Sequence, residues 1–210
     1  MQRLGQWFLA IGILVATGCG TIQSTEPLSD PLAGKPDESL YGHWVTRDVH
    51  SKGIKTETHV FVGKHETTDD PDAIMEIVAV TWDVGGKKAL PPTTAYLTVT
   101  RIGKYSYINL LGKTRRELSD SVNILSKNWT YRQWKEEEGS TVAIVRYRRE
   151  GATLRVWLAP DAGPFFDGRV GSGDLKKVDD KIAAESLVKY LKKNSGDELF
   201  FESVLFTLVP

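Results

Sequence analysis

From Tyr41 onward, apolar and polar residues alternate with a period of two in short runs separated by turn residues, the pattern of strands with one buried face. The clearest run is "KTETHVFVG", where Thr56, Thr58, Val60 and Val62 alternate with Lys55, Glu57, His59 and Phe61. "LYGHWVTRD" precedes it; "AIMEIVAVTWDV" follows, then a Gly85-Gly86 turn and Pro91-Pro92. "TAYLTVTRIG" and "KYSYINLLG" meet around Gly103, and "TVAIVRYRRE" and "TLRVWLAP" meet at "EGA", with Gly151 as the permissive residue. Both spacings predict hairpins. Strands joined by such short turns predict an antiparallel meander.

Two segments break the alternation. Lys113 to Ser140, with Arg115, Arg116, Trp129, Trp134 and the run Glu136 to Glu138, reads as a long charged connection, partly helical. Asp180 to Lys193 reads as a helix: Ala184, Leu187, Val188 and Leu191 share a face, and Lys192 and Lys193 suit the negative end of the helix dipole. After Gly196, "ELFFESVLFTLVP" is apolar on both faces and predicts a closing strand, with Phe201 and Leu205 opposite Phe200, Val204 and Phe206. About eight strands with local connections leave two unpaired edges unless the sheet closes. The predicted fold is therefore mainly β: an antiparallel, closed or nearly closed barrel over residues 41–210 with one C-terminal helix packed on it. A β-sandwich with a buried N-terminal tryptophan is the alternative.

Upstream the texture differs. Residues 1–18 have a basic start at Arg3, an apolar core from Trp7 to Val15, then Ala16, Thr17 and Gly18 before Cys19, which is a secretory signal layout. The apolar core is shorter than the roughly 20 residues that span a bilayer as a helix. Ala16, Thr17, Gly18 and Cys19 resemble the lipobox of bacterial lipoproteins, with alanine where leucine is commoner. The resemblance implies cleavage before Cys19, a diacylglyceryl thioether on its sulfur and attachment to the membrane through N-terminal acyl chains. Gly20 after the cysteine, rather than aspartate, implies the outer membrane facing the periplasm of a Gram-negative envelope. Residues 19–40, with Pro27, Pro31 and Pro36 among polar residues, read as the lipidated cysteine and a flexible tether.

Lys+Arg and Asp+Glu number 27 each, and removing residues 1–18 takes away Arg3 alone. Such a near-neutral chain lacks the basic excess of a nucleic-acid binder or of a polybasic lipid-binding surface. With the single cysteine committed to lipid, no thiol remains for a disulfide or a zinc-thiolate site. Gly42-His43-Trp44 resembles the Gly-x-Trp of the lipocalin or calycin superfamily. That resemblance implies a calycin-like barrel whose floor is closed by Trp44 under an arginine, with Arg148, Arg155 and Arg169 as candidates.

Candidate chemistry is sparse. His43, His50, His59 and His65, with Asp69, Asp70 and Asp72, lack the spacing of a zinc helix or a calcium loop, so they read as solvated turn residues and no metal or cofactor is assigned. "GRVGSGD", Gly168 to Asp174, reads as a turn or bulge after a strand. No residue is assigned as catalytic; Glu76, Asp83 and Glu202 form no pattern that marks an acid and base pair. Tyr105, Tyr107, Tyr147, Trp82 and Trp157 either fill the barrel or line a pocket. Arg146 and Arg148 are expected on an outward, solvated face, with Val145 and Tyr147 inside. Three functions follow in order. The first is a non-catalytic envelope module holding a small apolar or amphipathic ligand. The second is an envelope-assembly protein docking a partner through a sheet edge or the 113–140 loop, and the third a hydrolase of envelope glycan or lipid.

Overall fold

Eight of these runs pair in chain order, and the last returns to the first. The computed structural model describes residues 22–49, 55–65, 70–83, 87–113, 130–136, 140–159, 163–200 and 202–210. Its strands are β1 (Ile22–Ser24), β2 (Gly42–Val49), β3 (Lys55–Lys64), β4 (Met75–Asp83), β5 (Lys88–Ala89), β6 (Thr93–Ile102), β7 (Tyr105–Lys113), β8 (Ser140–Glu150), β9 (Thr153–Leu158), β10 (Lys177–Val178), β11 (Lys181–Ile182) and β12 (Glu202–Val209). The helices are α1 (Tyr131–Glu136), α2 (Gly163–Gly171) and α3 (Ala184–Lys193). Strands β2, β3, β4, β6, β7, β8, β9 and β12 form a closed antiparallel ring, because β12 pairs with both β9 and β2. The hairpins expected at Gly103 and Gly151 are two-residue turns with glycine first, each at φ +59°.

Strand β8 has three neighbours. Its second half pairs with β9 from Arg146 to Glu150, while Val142 to Ile144 pair with β1. The ring therefore forks where β9 leaves β8, and β1 fills the space, with β11 and β10 beyond it.

Two cores result from the two faces of one wall. The lumen is packed by Trp44, Val60, Met75, Ile77, Leu97, Ile108, Val145, Tyr147, Val156 and Phe206 among others. The outer face of β6, β7 and β8 carries Tyr96, Tyr107, Leu111, Val142 and Ile144, covered by Leu187, Tyr190 and Leu191 of α3 and Tyr131 and Trp134 of α1. Both faces of β8 are thus buried.

Several expectations change. Three α-helices lie among the described residues: α1 falls in the connection expected to be partly helical and α3 is the expected C-terminal helix, while α2 was not expected. Helix α3 starts at Ala184, not Asp180, because Lys181 and Ile182 are taken up by pairing with β10 and β1. Gly168 and Gly171 lie in α2, not in a bulge after a strand. Residues 22–40, expected to be a flexible tether, are laid on the barrel. Ile22, Leu28 and Leu40 are buried there, a gain in apolar contact that outweighs the freedom of a polar, proline-rich segment.

Asn109 fastens this strap. Its side chain is fully buried on β7; Oδ1 accepts the Leu28 amide at 2.9 Å, while Nδ2 donates to Thr98 Oγ1 at 3.1 Å and Thr100 Oγ1 at 3.0 Å. Asn109→Ala leaves these buried groups unsatisfied, at about 1–3 kcal/mol. Urea unfolding is expected to show that loss, and limited proteolysis to cut within residues 22–40 faster than in the parent; unchanged cleavage would mean the strap is held elsewhere.

Candidate functional site in the barrel lumen

The lumen changes character along its axis. At one end, where β2 starts and β12 finishes, Trp44 is fully buried, and its Nε1 donates to Leu40 O at 2.7 Å. Leu208 is its cross-strand partner. Beside them Gly42 sits at φ +133°, and a Cβ there would lie 2.9 Å from Leu208 Cδ1, so only glycine fits without displacement.

A cation stands over this tryptophan. The Arg149 guanidinium lies 5.5 Å from the Trp44 ring centre, and its Nη1 donates to Ser39 O while Nε donates to Gly151 O at 2.9 Å. None of the three arginines named from sequence does this. Arg148 pairs with Glu150, Arg155 reaches Ser203, and Arg169 meets Asp174 and Glu198. The correct residue follows from alternation: if Val145 and Tyr147 face inward, so does Arg149.

Tyr147 completes the floor. Its hydroxyl donates to Asp37 Oδ2 at 2.6 Å, and Arg101 Nη2 reaches the same oxygen at 3.3 Å. Burial opposes ionisation of Asp37, but hydrogen bonds from Ser39, Tyr147 and Arg101 outweigh it and hold the carboxyl below its ordinary value. Burial and the neighbouring carboxylate push the Tyr147 phenol up. Asp37 was assigned to the tether by sequence, so its role as a floor residue was missed.

Towards the other end the inward side chains shrink. Ala79, Ala95 and Ala143 belong to the lumen core. By alternation Thr58, Thr81 and Thr141 share their face and are buried, while Thr46 and Thr93 are half-buried. Thr58 and Thr81 hydroxyls are 3.0 Å apart. Bulky apolar groups thus fill the floor, while towards the mouth alanine and threonine become frequent beside Leu110 and Leu158, with Ala79, Ala95 and Ala143 themselves buried.

The remaining aromatic and polar candidates lie outside the lumen. Of the five aromatic residues expected to fill or line it, only Tyr147 faces inward. Tyr105, Tyr107 and Trp157 belong to the outer core, and Trp82 is exposed. Tyr107 is fully buried; burial raises its phenol to about 12, and its hydroxyl meets no hydrogen-bond partner among the described residues. Arg146 does point away from the lumen, but it is buried under the 194–200 segment instead of solvated. Nη1 donates to Asp197 Oδ1 at 2.6 Å, and the guanidinium lies 4.9 Å from Trp157, 5.0 Å from Tyr105 and 5.6 Å from Phe200. The Arg146 hydrogen bond holds the Asp197 carboxyl below its ordinary value.

His65 and Asp70, expected to be solvated, form a buried pair at 2.8 Å, and Asp70 Oδ1 accepts the Tyr131 amide at 2.7 Å at the start of α1. This pair clamps α1 to the wall. His43 and His59 ring nitrogens are 2.8 Å apart, and His59 reaches Glu57 at 2.8 Å. Among the described residues, no three His, Cys, Asp or Glu side chains are placed to hold a metal ion. Cys19, His50 and Asp69 lie outside the described residues.

Compared with known proteins, the chain matches no family, no curated protein and no solved structure. The functional reading accordingly rests on the geometry of the lumen and wall.

The floor makes a pH prediction. Because Asp37 has a lowered carboxyl pKa in the folded state, its contribution is present above the ordinary value of 3.8 and fades as pH falls through the lowered one. Tyr147→Phe removes a charge-assisted hydrogen bond worth about 1.5–3 kcal/mol at neutral pH. Urea titrations are expected to show that gap shrinking below pH 4; a gap constant down to pH 2 would mean Tyr147 acts by packing alone.

Proposed function

We propose that this is a calycin-like barrel that takes one small amphipathic ligand in the neck of its lumen and performs no chemistry on it. The observation that carries the reading is the concentration of small inward side chains, Ala79, Ala95, Ala143 and five threonines, towards the mouth, interleaved there with Leu110 and Leu158, against Trp44, Tyr147 and Phe206 at the floor. In a wall of constant strand spacing, smaller inward side chains leave more room, and eight strands enclose space for either packed side chains or one small ligand. An apolar chain would lie against the alanines, with its polar end among the threonine hydroxyls. The resemblance of residues 1–19 to a lipoprotein signal adds the setting: a module held at the outer membrane, facing the periplasm, by acyl chains on Cys19.

The Gly42-His43-Trp44 resemblance to calycins gains support from Gly42's positive φ and Arg149 over Trp44, the floor arrangement that the resemblance implies. Partner docking through a sheet edge is the second reading: among the described residues, β10, β5 and, on the β12 side, residues 46–49 of β2 have an unpaired strand edge.

Native mass spectrometry of the chain expressed from Gly20 onward is expected to show a co-purifying small molecule. Paired substitution Ala95→Leu and Ala143→Leu fills this space and is expected to abolish that adduct with an unchanged far-UV circular dichroism spectrum, although overpacking costs about 1–3 kcal/mol at each site. An adduct that persists in the filled variant would place the ligand elsewhere and overturn the neck as its site.

A further inference from the structure

The strap shortens the anchor. Cys19 lies three residues before Ile22, and Ile22 is already hydrogen-bonded into the sheet opposite Ile144 of β8. Three residues span at most about 10 Å. A barrel held this way cannot float on a tether; one side of it must lie at the lipid surface.

The fork in the wall shows which side. Ile22 pairs with Ile144, and two residues further along β8 the partner becomes β9. Just beyond the fork, Arg148 stands directly opposite Arg155, and Arg155 stands opposite Leu205 of β12. Arg148 is four residues from Ile144, about 13 Å along the strand. Like charges directly opposite each other destabilise a pair of strands unless an anion lies between or over them. Arg148 has Glu150 at 2.8 Å, but Arg155 meets no carboxylate among the described residues.

Apolar groups continue the same wall. Leu205 is 47% exposed, Phe61 45% and Val209 39%, whereas the opposite side of the barrel is covered by helices. Val209, His43 and Phe61 stand side by side across β12, β2 and β3, with the His43 and Phe61 rings stacked at 4.4 Å. Cations beside exposed aromatic and aliphatic groups suit the boundary between phosphate headgroups and acyl chains.

We propose that the wall formed by the outward faces of β8 beyond the fork, β9, β12, β2 and β3 docks on an anionic lipid surface, with Arg148 and Arg155 on headgroup phosphates and Leu205, Val209 and Phe61 at the acyl boundary. This rests on the lipid-anchor reading of Cys19 given above.

The full chain, processed in cells and reconstituted in phosphatidylethanolamine–phosphatidylglycerol vesicles, tests it. A bimane label on Leu205→Cys is expected to be quenched roughly threefold more by headgroup-spin-labelled lipid than one on Lys189→Cys of α3, since interfacial groups sit within about 5–10 Å of the headgroups. Adding Arg148→Glu and Arg155→Glu is expected to bring the Leu205 label down to the Lys189 level while the protein still floats with the vesicles. Equal quenching at both labels, or stronger quenching at Lys189, overturns the docking face. The same follows if quenching persists in the double glutamate variant. Failure of the parent chain to float overturns the anchor and this proposal with it, but leaves the neck unaffected.

Discussion

Closure of the ring by β12 is the constraint on which everything else depends. β12 must pair with β9 on one side and β2 on the other, from Glu202 to Thr207 and from Thr207 to Val209 respectively. Without it, β2 and β9 would be open edges, and the lumen core would face water through the gap. Closure also fixes the inward parity of every strand, because a slip of one residue would exchange the two cores. The lumen then receives Trp44, Tyr147 and Phe206, and the outer wall receives Tyr107, Ile144 and Arg146.

The second core explains why the wall is not simply a barrel with loops. β8 is buried on both faces from Thr141 to Tyr147, with Val142 and Ile144 on the outer face and Ala143 and Val145 on the inner, so it needs cover on each side. The outer cover comes from α3 with the 194–200 segment after it, from α1 and from the strap, and a specific contact holds the segment after α3, α1 and the strap. Asn109 holds Leu28, the His65 and Asp70 pair holds the Tyr131 amide, and Arg146 holds Asp197. Burying Arg146 is tolerated because Asp197, the Phe200 carbonyl and three aromatic rings replace its water. The contrast between a covered wall and a bare one follows, and with it the two candidate surfaces, one inside the neck and one on the bare side.

Much of this architecture was legible in the period-two runs. Strand order, both glycine hairpins, the closing strand and the inward direction of Val145 and Tyr147 follow from local pattern. What was not legible lies in contacts between distant segments. Residues 22–40 have the composition of a linker, and nothing local signals that Leu28 meets Asn109 or that Asp37 meets Tyr147. Arg149 was legible in principle, since it shares the parity of Tyr147. Tyr105 and Tyr107 were assigned to the interior because tyrosine suits either face of a wall whose outer side is covered, and covering helices cannot be placed from periodicity alone. His65 and Asp70 sit in a stretch of turn residues, so their burial depends on α1, some sixty residues later.

The claim that most needs a direct measurement is that the lumen is solid at its floor and accessible at its neck. Methyl and indole NMR of the alanine- and tryptophan-labelled domain, titrated with a medium-chain fatty acid below its micelle concentration, reads both ends at once. The account predicts saturable shifts at Ala79, Ala95 and Ala143 with the Trp44 indole unmoved. Shifts confined to outer-wall residues such as Trp82 and Trp157, with the alanine methyls silent, would contradict it.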